Sequence, residues 1–287
     1  LLQVHQVPAA RDNLIWLVRV LGTDEVAAVD GPDAGAALAY CDAQGLRLTT
    51  VFNTHTHADH IGINRDLARR GLLEGMRVVG AAATRDAIPG LTEAVGEGDV
   101  VRFGPAEGRV LLTEGHIDGH VSYVFSDALF CGDTLFGGGC GYLFDGPPSK
   151  MHASLSRLAE LPPETRVCCA HEYTEDNLRF AFSLEPDNGD LVARIRDVWA
   201  LRARGECSVP STIGEERATN PFLRHASPTL RASVAAASLE AAMGSAGEVF
   251  AATRALAEQE PRGATAAEPL GAGMRLATRA MPITSCW

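Results

Sequence analysis

The chain predicts an α+β fold in which two packed β-sheets carry helices on their outer faces, an αββα layering, followed by a helical C-terminal part. Three observations predict it. Short strand-like runs fill the first half of the 287 residues, and these signals stop near Thr174. Beyond that point longer helical segments are separated by Pro, Gly and Asn. At roughly 150 residues per domain the length fits one large or two medium units. We expect one over 1–173, a helical one over 174–260, and a loosely ordered tail over 261–287, where small residues show no clear periodicity.

The elements follow in order. Asn13–Val20, Glu25–Val29 and Leu48–Asn53 are rich in Val, Ile and Leu and bounded by Gly, Pro or Asp, as strands are. Between the second and third, the Ala-rich stretch from Asp33 to Gln44 reads as a helix that Gly45 ends as a C-cap. Further strands are expected at Arg77–Val79, Val100–Phe103, Arg109–Thr113, Val121–Phe125 and Ala128–Cys131, and helices at Thr174–Leu184, Leu191–Arg204 and Ser227–Ala242.

Composition narrows the function classes. Lys and Arg number 25 against 36 Asp and Glu, a formal charge of −11, which argues against a surface built to hold nucleic acid. No apolar run approaches the ~18 residues of a membrane span, and the opening Leu1-Leu2-Gln3-Val4-His5 does not read as an export signal. The seven cysteines are dispersed, without a C-x-x-C pair, and read as buried or free thiols of a cytoplasmic protein.

The histidines carry the chemistry. After the apolar Val51-Phe52 comes Asn53-Thr54-His55-Thr56-His57-Ala58-Asp59-His60. Residues two apart in an extended segment share a side, so His55 and His57 can converge on one point, while Asp59 and His60, beyond a turn, face a second. Imidazole and carboxylate together suit borderline cations such as zinc. A packing or capping role would have to hold for three histidines and an aspartate at once. His116, Asp133 and His171 each follow another short apolar run, the position where a rigid scaffold presents functional groups on loops. Seven candidate ligands could fill one site with open positions or two sites sharing a carboxylate.

Thr54-His55-Thr56-His57-Ala58-Asp59-His60 resembles the T-H-x-H-x-D-H motif of the metallo-β-lactamase superfamily. Gly132-Asp133-Thr134-Leu135-Phe136, Gly139-Cys140-Gly141, His171-Glu172-Tyr173-Thr174 and Asn220-Pro221-Phe222-Leu223-Arg224 resemble the narrower glyoxalase II family, the hydroxyacylglutathione hydrolases. The likeness runs in family order from about Val4 to Glu260. It implies a metallo-β-lactamase-like sandwich with a helical substrate-binding part, and two divalent metal ions, usually zinc with iron or manganese as other occupants. His55, His57 and His116 would hold one and Asp59, His60 and His171 the other, with Asp133 between them. Asp59 and Asp133 would then be the catalytic carboxylates, and a metal-bridging hydroxide would attack the thioester of S-lactoylglutathione.

The resemblance also implies a monomer whose partner is a small-molecule thioester, with no nucleic acid or membrane. Tyr142, Leu143, Phe144, Tyr173 and Arg254 would meet the substrate. Here the chain departs from the family pattern, which usually places Lys or Arg where Tyr142 stands and Lys where Ala257 stands. A charge-assisted bond to a carboxylate contributes ~1.5–3 kcal/mol, so affinity for the glutathione thiol is expected to be altered. His120 and Asp30 are expected either to support ligands or to serve packing and helix capping; His5, His152 and His225 read as structural. The rival reading is an iron-dependent persulfide dioxygenase on the same fold, with one iron; a non-catalytic metal-stabilised binding module is the third.

Overall fold

The computed structural model describes residues 2–238 and 244–259, so the 261–287 tail and the end of the Ser227–Ala242 helix lie outside the described residues. The first sheet takes β1 (Leu2–Ala9), β2 (Asn13–Val20), β3 (Glu25–Val29), β4 (Arg47–Phe52), β5 (Arg77–Ala81) and β6 (Glu93–Val95) in that order. β1 to β3 run antiparallel and β3 to β6 parallel. The second sheet joins β7 (Val100–Phe103), β8 (Ala106–Leu112), β9 (Val121–Phe125), β10 (Ala128–Gly132) and β13 (Arg166–Cys169), and its far edge is β14 (Ser211–Thr212). Between β10 and β13 lies a small hairpin, β11 (Leu135–Phe136) with β12 (Gly139–Cys140).

The continuous apolar run of β2 has a packing reason. Leu14, Trp16, Val18 and Val20 face the second sheet, while Ile15 and Leu17 join Ala37, Cys41, Ile63 and Leu67 under the helices on the other face. Those helices are α1 (Gly35–Gln44), ended by Gly45 at φ 64° as expected, and α2 (Gly62–Arg69). Between the sheets the Phe52 ring stands edge-on to Tyr123 at 5.2 Å and Phe125 at 5.7 Å. Such pairs contribute roughly 0.5–1.5 kcal/mol beyond their burial.

α3 (Pro148–Leu158) places Met151, Leu155 and Leu158 in the main core. After β13 come α4 (Thr174–Leu184), α5 (Gly189–Ala203), α6 (Ile213–Thr219), α7 (Pro228–Ser238) and α8 (Ala246–Gln259). α4 and α5 share a core of Leu178, Ala181, Leu191, Ile195, Val198 and Trp199. β14 lies within this helical stretch and pairs with β13. Among the described residues no helix is long and apolar enough to cross a membrane. Cys41, Cys131, Cys140, Cys168 and Cys169 are buried thiols, but Cys207 is disulfide-bonded, against its expected thiol state.

Candidate metal centre

All seven candidate ligands meet at one end of the sandwich. His55 and His57 follow β4, His116 follows β8, Asp133 follows β10 and His171 follows β13. Asp59 and His60 sit in the turn that enters α2, where the His60 N–H donates to the His57 carbonyl at 3.0 Å. Gly132, at φ 47°, brings Asp133 into place; a Cβ there would stand 2.3 Å from Thr54 Oγ1. Gly141 lets the following loop pass, since its Cβ would lie 1.9 Å from the Asp133 carbonyl oxygen.

The donor atoms form two clusters. His57 Nδ1 lies 3.1 Å from His55 Nε2 and 2.9 Å from His116 Nε2. His171 Nε2 and His60 Nε2 stand 3.3 and 3.6 Å from Asp59 Oδ2. Asp133 divides its carboxylate between them. Its Oδ1 is 3.3 Å from His60 Nε2 and 3.5 Å from His171 Nε2, while Oδ2 is 3.4 Å from His116 Nε2. His60 Nε2 and Asp133 Oδ1 are buried without a hydrogen-bond partner. Buried polar atoms are almost always satisfied, so two orphans facing one another fit a pair of cations bound by nitrogen and oxygen donors. The groups His55, His57, His116, Asp133 and Asp59, His60, His171 each bring their ligand atoms within 4.8 Å of one another.

Outer contacts aim these rings. Asp30 accepts from the Thr54 amide at 2.9 Å and the Thr54 hydroxyl at 2.6 Å, and faces His60 Nδ1 at 3.0 Å. Of the two roles open to it, Asp30 thus takes ligand support; the N-cap of α1 is Ala34, with no side-chain cap. Asp30 has φ 54°, a backbone conformation costly for a non-glycine residue and common where geometry serves a site. His116 Nδ1 faces the Tyr142 carbonyl at 2.7 Å, and His171 Nδ1 faces Asp12 at 2.9 Å. Each leaves an Nε2 lone pair for a cation. His120 belongs to neither cluster: its Nε2 accepts from the Asp133 amide at 3.2 Å and its Nδ1 faces Thr113 Oγ1 at 3.0 Å.

Burial alone would lower the pKa of His171, but Asp12, Asp59 and Asp133 together raise it to about 9. His60 rises well above its ordinary value for the same reason, burial being outweighed by Asp133 and Asp30. Burial first and the neighbouring imidazoles second hold His55 well below 6.5. Before cations bind, His171 and His60 therefore carry protons at neutral pH, and cations must displace them. Cation uptake at pH 7 is expected to release protons, and the His171 contribution to fade as pH rises through about 9. The His171 contribution to the stability of the cation-free fold is likewise full below 6.5 and lost as pH rises through about 9. A pH-stat titration with zinc checks the release; uptake without protons at pH 7 contradicts it.

The expected substrate residues stand at the rim. Phe144, 60% exposed, packs edge-on against His57 at 5.2 Å and His116 at 5.3 Å, with Tyr142 beside it at 4.8 Å. Leu143 packs against the main core, and Tyr173 stacks on His171 with ring centres 4.8 Å apart. Arg254 is 6% exposed, beneath rather than on the surface. It pairs with Glu258 at 3.2 Å, donates to the Cys140 carbonyl at 3.4 Å and lies under the Tyr142 ring at 5.7 Å. Ala257 packs partly buried against the core. Asp12, Asn13 and Glu216 were missed by sequence reasoning, and no local motif marks them. The His152 and His225 rings stand edge-on to each other at 4.7 Å, away from the ligands.

The chain matches the metallo-β-lactamase superfamily model over residues 12–171 and the hydroxyacylglutathione hydrolase C-terminus model over 172–259. It is 49% identical over 234 residues to the hydroxyacylglutathione hydrolase of Methylococcus capsulatus, covering 81% of this chain and 90% of that one. It is 46% identical to that of Gloeobacter violaceus, covering 89% and 99%. Among solved structures, ETHE1 from Myxococcus xanthus superposes with a TM-score of 0.60 at 26% identity, covering 91% of this chain and 92% of that one. The BLEG-1 B3 metallo-β-lactamase, at 22% identity and TM-score 0.57 over 77% of this chain and 99% of its own, shares the fold. With both family models matched in succession and relatives this similar along most of its length, the chain belongs to the hydroxyacylglutathione hydrolase family of the metallo-β-lactamase superfamily.

Proposed function

We propose that this protein hydrolyses S-(2-hydroxyacyl)glutathione thioesters, S-lactoylglutathione among them, at a centre for two divalent cations. The observation that carries the reading is the divided carboxylate of Asp133, one oxygen toward His60 and His171 and the other toward His116. His55, His57 and His116 would hold one cation, Asp59, His60 and His171 the second, and Asp133 both. Zinc suits this donor set best, with iron and manganese as other occupants. When bound, such cations make a hydroxide available near neutral pH and polarise the thioester carbonyl. The chain itself supplies orientation: Asp30 and Asp12 fix the faces of His60 and His171, and Phe144 shields His57 and His116 from water.

On the thiol side, Tyr142, Leu143, Phe144 and Tyr173 form the contact surface. Arg254 acts from below, because its guanidinium is committed to Glu258 and to the Cys140 carbonyl. The glutathione carboxylates therefore lack a cation from position 142 or 257, and Tyr142→Lys is expected to raise kcat/KM for S-lactoylglutathione about tenfold or more through KM. No gain in the variant overturns the altered thiol pocket.

Loss of thioester absorbance by protein carrying two equivalents of zinc, abolished by chelation and restored by zinc, tests the hydrolase. The rival, a dioxygenase with one iron, would give oxygen uptake on glutathione persulfide instead. The second cluster of Asp59, His60 and His171, and the match of residues 172–259 to the hydrolase C-terminus, favour the hydrolase.

A further inference from the structure

The turn between β1 and β2 touches the metal centre twice, from outside the ligand set. Asp12 Oδ1 lies 2.9 Å from His171 Nδ1, and Asn13 Nδ2 donates to Asp59 Oδ2 at 3.1 Å. His171 hangs from the second sheet and Asp59 from the first, so this turn spans the two halves of one cluster. The turn is itself fixed through the main chain. The Glu172 N–H donates to the Asp12 carbonyl at 3.0 Å, the Leu14 N–H donates to the Ala170 carbonyl at 2.8 Å, and an isolated antiparallel bridge joins Asn13 to His171. Trp16 adds an indole donor to the Cys169 carbonyl at 2.8 Å. Among the described contacts, neither Asp12 nor Asn13 reaches the other cluster, where His116 is held by the Tyr142 carbonyl and His55 by the Thr54 hydroxyl.

We infer that Asp12 and Asn13 are positioning residues for one cation only, the one at Asp59, His60 and His171, and that they set how tightly this chain retains it. The inference rests on the two-cation reading above. Asp12 holds the His171 proton on Nδ1, which turns the Nε2 lone pair inward and increases its donor strength. Asn13 restrains Asp59, whose side chain is 44% exposed and would otherwise sample rotamers that leave the cluster. The ligands of the opposite cation are braced from elsewhere, by the Tyr142 carbonyl and the Thr54 hydroxyl, so damage to the turn should be felt on one side of Asp133 alone.

The test is metal retention, measured by elemental analysis and by competition with chelators of graded strength. Wild type, Asp12→Ala, Asp12→Asn, Asn13→Ala and, as a control in the same turn, the exposed Arg11→Ala are each loaded with zinc and separately with cobalt. Wild type and Arg11→Ala are expected to hold two equivalents. Asp12→Ala and Asn13→Ala should hold one as tightly as wild type and the other about 10–100-fold more weakly. Asp12→Asn, which keeps an acceptor oxygen, should fall between. The cobalt spectrum should lose the contribution of one site while that of the other stays. Equal weakening of both equivalents, or retention like wild type in both alanine variants, overturns the inference while the two-cation reading stands. A wild type that holds a single equivalent overturns that reading and the inference with it.

Discussion

Asp133→Asn is expected to lower kcat/KM for the thioester by about 1,000-fold and to weaken both cations together. The size follows from what the residue spans. Its Oδ1 stands 3.3 Å from His60 Nε2 and 3.5 Å from His171 Nε2, and its Oδ2 stands 3.4 Å from His116 Nε2. An asparagine would turn an N–H donor toward one of these clusters and remove the negative charge that both share. Loss of several kcal/mol of charge stabilisation in the transition state corresponds to three or more powers of ten. The fold should survive, because the Asp133 main chain is held by its own amide to His120 Nε2 at 3.2 Å. Steady-state kinetics together with zinc content check the result. A variant that keeps two equivalents of zinc and a wild-type rate would overturn the bridging role.

The contrast between Asp133 and Asp12 shows what a single sequence makes legible. His55, His57, Asp59 and His60 crowd into six residues behind an apolar run, so their convergence follows from strand alternation and one turn. His116, Asp133 and His171 lie far apart, yet each follows a strand, and strand ends gather at one edge of a sheet. Asp12 is 159 residues from His171, on a turn whose Arg11-Asp12 reads as ordinary loop chemistry before the strand that starts at Asn13, so nothing local reveals it. The same division runs through the fold. β2 announces itself because it is buried on both faces, whereas β1 carries His5, Gln6 and Pro8 and pairs only with β2, at the edge where proline is tolerated. α3 opens with Pro147-Pro148, which resembles loop punctuation until Pro148 is seen at the helix start, where its missing N–H costs nothing. The place of Arg254 was hidden for another reason. A charged residue on a helix reads as solvent-facing, but here Glu258 and the Cys140 carbonyl satisfy it under Tyr142.

Glu216→Ala carries the largest expected effect on stability, a loss of roughly 3–5 kcal/mol, because it removes the nearest carboxylate from a buried charge. Glu216 and Arg194 are 0% and 3% exposed, and Arg194 Nη2 donates to Glu216 Oε1 at 2.5 Å. The other oxygen, Oε2, accepts from the Gly138 N–H at 2.8 Å and from Asn220 Nδ2 at 3.0 Å. Asn220 in turn donates to the Gly139 carbonyl at 2.9 Å. One carboxylate therefore ties α5 and α6 to the Gly137–Gly139 loop, which joins β11 to β12 on the path from Asp133 to Tyr142. Truncation leaves the Gly138 N–H without its acceptor and takes the near carboxylate from the buried guanidinium, which keeps only Thr219 Oγ1 at 2.6 Å and the more distant Glu215 at 3.6 Å, while Asn220 keeps the Gly139 carbonyl. Removing both charges should hurt less than removing one: Arg194→Met with Glu216→Leu is expected to recover part of the loss, since a buried pair is weak evidence of net stabilisation while a broken pair is costly. Urea unfolding of Arg194→Met, Glu216→Leu and the double variant gives the cycle, with Glu216→Ala measured beside them. A Glu216→Ala loss below about 1 kcal/mol, no larger than an average hydrogen bond, would show that α6 and the hairpin are held mainly by packing. The expected loss would also reach the chemistry, because a loosened Gly137–Gly139 loop frees Tyr142 and Phe144, so KM should rise before kcat falls.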